Sequence, residues 1–160
     1  MSWIAEPEAA VNSFEQVLAQ RPELAKLYRT YFGGVLEKSQ APADILELAR
    51  LRIAEIHECD AELAIQHAAA GLSQAHRDAL PHWQTSELFS EAQRAALGLA
   101  ERIVWEHHQI TDEESAAVRQ HLGDAGLVAF TVAISLFDAN CRLKLALGVT
   151  APPAGTDQLY

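Results

Sequence analysis

Apolar residues recur at steps of three and four through most of the chain, the spacing that puts them on one face of an α-helix. A first helix starts near Pro7 and carries Val11, Phe14, Val17 and Leu18. A second is entered through Pro22, with Leu24, Leu27, Tyr28 and Tyr31 as its apolar face. Pro fits a first helical turn because its missing N–H has no partner there anyway. Gly33 and Gly34 are expected to interrupt or kink this helix, and Ala41, Pro42 and Ala43 to link it to the next. Ile45, Leu48, Ala49, Ile53 and Ile56 then mark a largely buried helix over 42–58. It runs into a polar corner centred on Cys59, where Asp60 is placed to cap a helix from Ala61 to Ala70 and Gly71 to stop it.

Capping chemistry marks the rest. Ser73 opens a short helix, Gln74 to Leu80, that ends before Pro81. The stretch PHWQTSELF has no clean period, and either covers an end of the core or walls a pocket. Ser90 with Gln93 is a capping box ahead of a long core helix bearing Ala96, Leu97, Ala100, Ile103 and Val104. His107 and His108 fall in its last turn, where an imidazolium is stabilised by the helix dipole. Thr111 with Glu114 is a second capping box, and Asp124 is placed to cap the most apolar helix, Leu127 to Leu147, stopped by Gly148. Residues 149–160 form a Pro- and Gly-containing tail with little to bury.

Composition agrees with an all-α domain: 49% of the 160 residues are hydrophobic, rich in Ala and Leu and poor in β-branched and aromatic types. One domain, residues 1–148, accounts for the chain ahead of the tail. A formal charge of −10 argues against nucleic acid and against an acidic membrane surface. No apolar run approaches the ~20 residues that cross a bilayer, and MSWIAEPEAA lacks the regions of a signal peptide, so a cytoplasmic protein is expected. Cys59 and Cys141 are too far apart for a CxxC pair, and a reducing compartment keeps both as thiols.

The chemistry collects at the corner, where Glu55, His57, Glu58, Cys59, Asp60 and Glu62 stand together. A thiol ahead of a helix N-terminus is favoured as thiolate, while three acidic neighbours oppose that, and the sequence leaves the balance open. Cys59 also suits a small apolar filler at a helix junction. Acid and base chemistry is a second reading, with Glu47, Glu62 and His67 acting on a small organic acid. On one continuous helix His67 lies about 140° round from Glu62, so a structural role for it is equally open. A metal held by His57, Glu58 and Glu62 is the third reading, opposed by the usual solvation of charges at corners.

Glu47, then twelve residues on Cys59, then a helix ending in AAAGLS resembles the core of the alkylhydroperoxidase AhpD and carboxymuconolactone decarboxylase superfamily. ALPHWQTSELFSEAQRAALGLAERI and DANCRLKLALG resemble the segments that follow, so the likeness spans residues 40–148. In the family a CxxCxxxH motif follows the Glu. Here the second Cys position holds Glu62 and the His position Gln66, with His67 one residue later. Decarboxylase-like members carry Glu at that second position. The resemblance implies an AhpD-like bundle of seven or eight helices, a homo-oligomer, and hydroperoxide reduction with Cys59 as thiol, Glu47 in its proton network and a thiol reductant as partner. It calls for no cofactor or metal. The alternatives are a decarboxylase-like lyase using Glu62 on an organic acid, and a scaffold without catalysis. A sulfenic acid on Cys59 needs a second thiol, which Glu62 is not. Cys141 can serve only if the last helix passes the corner; the expected outcome is a slow reaction with peroxide that gives a sulfenic acid or a mixed disulfide with an added thiol, and no internal disulfide.

Overall fold

The structure, a computed structural model, describes residues 13–65, 67 and 70–151. Among them are seven α-helices and no strand: α1 (Ser13–Leu18), α2 (Pro22–Lys38), α3 (Ala43–Ile56), α4 (Asp60–Leu63), α5 (Gln74–Ala79), α6 (Glu91–Glu106) and α7 (Asp112–Ala146). Short 3-10 turns follow α5 and α6. The central packing is of α3, α6 and α7 on one another, with α2 laid against α7. Phe32, Ile45, Ala49, Ile53, Ala100, Phe130, Ile134 and Phe137 fill the main core. A second cluster of Leu48, Leu51, Leu80, Trp83, Phe89 and Leu97 lies under the chain between α5 and α6.

The capping sequences act as expected. Ser73, Ser90 and Thr111 accept from the backbone N–H groups of His76, Gln93 and Glu114, and the last two are complete capping boxes. The PHWQTSELF stretch is a cover. Trp83 and Phe89 are buried, Trp83 Nε1 donates to Glu101 at 2.9 Å, and Arg94 gathers the carbonyls of Trp83, Gln84 and Ser86.

Four expectations are revised. The Gly33–Gly34 pair does not interrupt α2, which runs unbroken to Lys38. Its buried face is Ala25 and Phe32 with Tyr28 packed between Phe14 and Phe32, whereas Leu24, Leu27 and Tyr31 are 51%, 65% and 57% exposed. The apolar spacing there is real but points outward. The Leu127–Leu147 helix is part of α7, which bends at Gly123 (φ 71°, ψ 176°), a backbone region open only to glycine, so the break falls one residue ahead of Asp124. Finally, α7 holds an 18-residue window of mean hydropathy 1.5, enough by length and composition to cross a bilayer, contrary to the reading of the sequence. In the bundle α7 buries Phe130, Ala133, Ile134 and Phe137 against the core. The first helix's start near Pro7, Gln66 and the tail from residue 152 lie outside the described residues.

Candidate functional site

α3 ends by turning its chain sharply. His57 is the C-cap, Glu58 takes a left-handed conformation (φ 52°), the Glu58 N–H bonds the Glu55 carbonyl at 3.1 Å, and the Cys59 N–H bonds the Ala54 carbonyl at 2.9 Å. This is the Schellman pattern, with Glu where glycine is usual. It turns Cys59 inward to full burial and leaves Glu58 and Asp60 exposed. Cys59, not Asp60, occupies the cap position of α4, and its carbonyl accepts from the Glu62 and Leu63 N–H groups.

α4 lasts one turn instead of continuing to Ala70. Arg50, reaching across from α3, explains the stop. Its guanidinium donates to the Glu62 carbonyl at 2.8 Å and to the Ile65 carbonyl at 3.1 Å, oxygens that a longer helix would use for its own ladder. The same guanidinium grips Glu47 through two bonds, 2.7 and 2.8 Å, and Glu62 Oε2 through a third, 2.8 Å. Asn140 Nδ2 and Lys144 Nζ from α7 both donate to Glu62 Oε1, and the Tyr28 hydroxyl donates to Asn140 Oδ1. Glu47, Arg50, Glu62, Asn140 and Lys144 are all buried. Two carboxylates thus meet one guanidinium and one ammonium, the pairing that buried charge requires. Burial pushes the Glu62 carboxyl up, but Lys144 and Arg50 outweigh it and hold the pKa below its usual value. Burial and the Glu62 charge push the Tyr28 phenol well above its ordinary range.

The final stretch of α7 passes directly over the corner. His57 Nε2 meets Asp138 Oδ1 at 2.6 Å, and Glu62 meets Asn140 and Lys144. Between these contacts the Cys141 thiol hydrogen-bonds the sulfur of Cys59. That bond, with the Glu62 N–H and the Lys144 ammonium, outweighs burial and the Glu62 carboxylate, drawing the Cys59 pKa down from 9.0 to about 7. Cys141, as the donor and under burial, is pushed up. The balance left open by the sequence is decided by a neighbouring thiol, and the one-turn α4 has little dipole to contribute.

A cavity of about 200 Å³ opens beside this cluster, walled by Leu36, Ala43, Leu46, Ala70 and Phe137, with Glu47, Arg50 and His67 as its polar lining. His67 Nε2 lies 3.9 Å from Glu47 Oε2, and Arg77 Nη2 from α5 lies 3.6 Å from Glu47 Oε1. Because α4 stops early, the angle expected between Glu62 and His67 on one helix does not apply. Of the four residues singled out in the sequence, Glu47 and His67 line the cavity, while Cys59 and Glu62 do not. The metal reading finds no geometry: among the described residues no three His, Cys, Asp or Glu side chains gather to hold an ion.

No protein-family model and no curated protein sequence matches the chain. Solved structures do. One is a candidate AhpD antioxidant defence protein of unknown function from Agrobacterium tumefaciens, with TM-score 0.74 and 22% identity over 85% of this chain and 95% of that one. Another is an uncharacterised peroxidase-related protein with an alkylhydroperoxidase AhpD core from Ralstonia eutropha JMP134, with TM-score 0.74 and 16% identity over 89% of this chain and 77% of that one. The chain has the AhpD core fold. At these identities the likeness carries the fold and leaves the chemistry to the residues.

Within the AhpD fold the buried hub is what sequence reasoning missed. Arg50 stands three residues after Glu47 on a side of α3 shared with the buried Ile53 and Ala54, and an arginine among such residues signals a buried carboxylate partner. Asn140 and Lys144 are one turn apart beside Phe137 and Cys141 in the last helix, and carry the same signal.

Proposed function

We propose that this protein reduces hydroperoxides through the thiolate of Cys59. The observation that carries the reading is the polarised, buried Cys59 sulfur, which accepts hydrogen bonds from the Cys141 thiol and the Glu62 N–H and holds its pKa near 7, so that much of it is thiolate at neutral pH. The AhpD core fold, shared with a candidate antioxidant protein and a peroxidase-related protein, supports the same chemistry. The thiolate attacks the outer oxygen of ROOH, the O–O bond breaks, and the departing alkoxide takes up a proton to leave as ROH. Cys59 is left as a sulfenic acid; its condensation with a thiol releases water and leaves a disulfide, which a thiol reductant then reopens, two thiols being oxidised for each hydroperoxide. The cavity supports the approach of a small hydroperoxide with an apolar body: Phe137 lines it and lies one turn before Cys141 on α7. Its Glu47–Arg50–His67 end is suited to the hydroperoxy group and to delivering the proton. Full burial of Cys59 makes the reaction slow.

The lyase reading has less support, because Glu62 is committed to Arg50, Asn140 and Lys144 and does not line the cavity. The test is consumption of an alkyl hydroperoxide by the purified protein with a dithiol as reductant. The rate should rise as pH is raised through about 7, where the Cys59 thiolate forms. Cys59→Ser should lower it to background, a loss of at least about tenfold. An unchanged rate in that variant would sink the proposal.

A further inference from the structure

We infer that Cys59 and Cys141 form a reversible redox pair, in which Cys141 is the resolving thiol that closes a disulfide on oxidised Cys59. The inference rests on Cys59 as the reactive thiol and supplies what the corner lacks, a partner in place of the second Cys of a CxxC. Two independent contacts clamp the last helix onto the corner on either side of the thiols. His57 holds Asp138 at 2.6 Å, and Glu62 holds Asn140 and Lys144. Cys59 lies between His57 and Glu62 in sequence and Cys141 between Asp138 and Lys144, so the residues that bracket one thiol are tied to those that bracket the other. The thiols then meet by hydrogen bond inside the apolar core, where both are buried. A sulfenic acid formed there is shielded from thiols in solution, while Cys141 stands against it at a high effective concentration.

The step balances without a further reactant. The Cys141 sulfur attacks the sulfur of the Cys59 sulfenic acid, the S–S bond forms and the S–O bond breaks. The departing hydroxide takes the Cys141 proton and leaves as water. The pair has then given two electrons to the peroxide. A dithiol reductant reopens it by two exchanges, ending as its own disulfide.

The expectation that no internal disulfide forms assumed that the last helix lay away from the corner, and the contacts of α7 with His57 and Glu62 remove that assumption. It also assigns Cys141 a use that packing alone does not require, since a small apolar residue would fill the same space.

Two oxidants separate this inference from the peroxide reading. Diamide, whose N=N bond accepts the two electrons and two protons of a thiol pair, should remove both titratable thiols per chain. Peptide mass spectrometry should then find Cys59 linked to Cys141 within one chain. Free thiols after diamide, or links only between chains, overturn the pair. An alkyl hydroperoxide should give the same internal link in the wild-type protein and, in Cys141→Ser, a Cys59 sulfenic acid captured by a dione reagent. Hydroperoxide giving only the captured sulfenic acid in the wild type overturns the pair and leaves the peroxide reading standing. Diamide closing the pair while hydroperoxide leaves both thiols untouched supports the pair and ends the peroxide reading. Cys141→Ala adds a readout that mere packing would not move: the ultraviolet thiolate absorbance of Cys59 should titrate at higher pH once its hydrogen-bond donor is gone.

Discussion

Glu62 occupies the place where the resemblance led us to expect sulfur, and its neighbours show what that exchange requires. A carboxylate there has brought Lys144 and Asn140 to one oxygen and Arg50 to the other. Replacing it leaves the buried Lys144 ammonium without its carboxylate and Arg50 with Glu47 alone, so Glu62→Gln should destabilise the protein by about 3–5 kcal/mol, the cost of breaking a buried pair from one side. Glu62→Cys should cost no less, and a restored CxxC would arrive in a protein short of stability. Urea unfolding measures this; a change below about 1 kcal/mol would mean the hub is solvated. The pH dependence follows the same contacts. The folded-state pKa of Glu62 is lowered, so its contribution is fully present above the unfolded carboxyl value and fades as pH falls through the lower folded one. At this scale the sequence made Glu47 and Cys59 visible by their spacing, and left Arg50, Asn140 and Lys144 unseen. Each of the three is a polar residue on an apolar face, and its meaning lies in partners that only the tertiary packing supplies.

Helix beginnings were legible because a cap is local: Ser90 and Gln93, or Thr111 and Glu114, hold both partners within one turn. The end of α4 was not, because AELAIQHAAA favours helix by propensity and is stopped by Arg50, a residue of another element. The outward apolar face of α2 misled for a related reason, since spacing shows that a stripe exists without showing what covers it. Two glycines test the backbone argument with opposite signs. Gly98 lies within α6, and a Cβ there would meet the Trp83 ring at 3.7 Å, an ordinary contact. Gly98→Ala should therefore stabilise the protein by about 0.5–1 kcal/mol through the unfolded chain's lost freedom. Gly123 holds the bend of α7 at φ 71° and ψ 176°, with open space around it. Gly123→Ala should cost about 1–3 kcal/mol from strain alone. Thermal unfolding of the two variants decides it, and shifts of the same sign would refute the assignment of the bend.

The molecule as a whole keeps more apolar surface on its helices than its packing uses. Leu24, Leu27 and Tyr31 stand out from α2, and Val128, Val132 and Leu145 from α7, all of them large residues open to solvent. Leu27, Thr30, Tyr31, Gly34, Val35 and Lys38 line a shallow depression along α2 with little polar surface. Contiguous apolar patches of this kind are rare on proteins that stay monomeric. The outward stripe of α2 has the three- and four-residue spacing of a helix that packs, and the chain's own core already has its full set of partners on the opposite face. We therefore propose that α2 is covered by further copies of the chain. Sedimentation at micromolar concentration should show a multimer of the 17.5 kDa chain. Leu27→Asp, which places a charge in the middle of the stripe without touching the core, should dissociate it while leaving the helical circular dichroism unchanged. A monomer in the wild-type protein would leave the stripe to some other partner. Dissociation without loss of hydroperoxide reduction would show that Cys59 and its cavity are complete within one chain, as the placement of every hub residue within a single bundle leads us to expect.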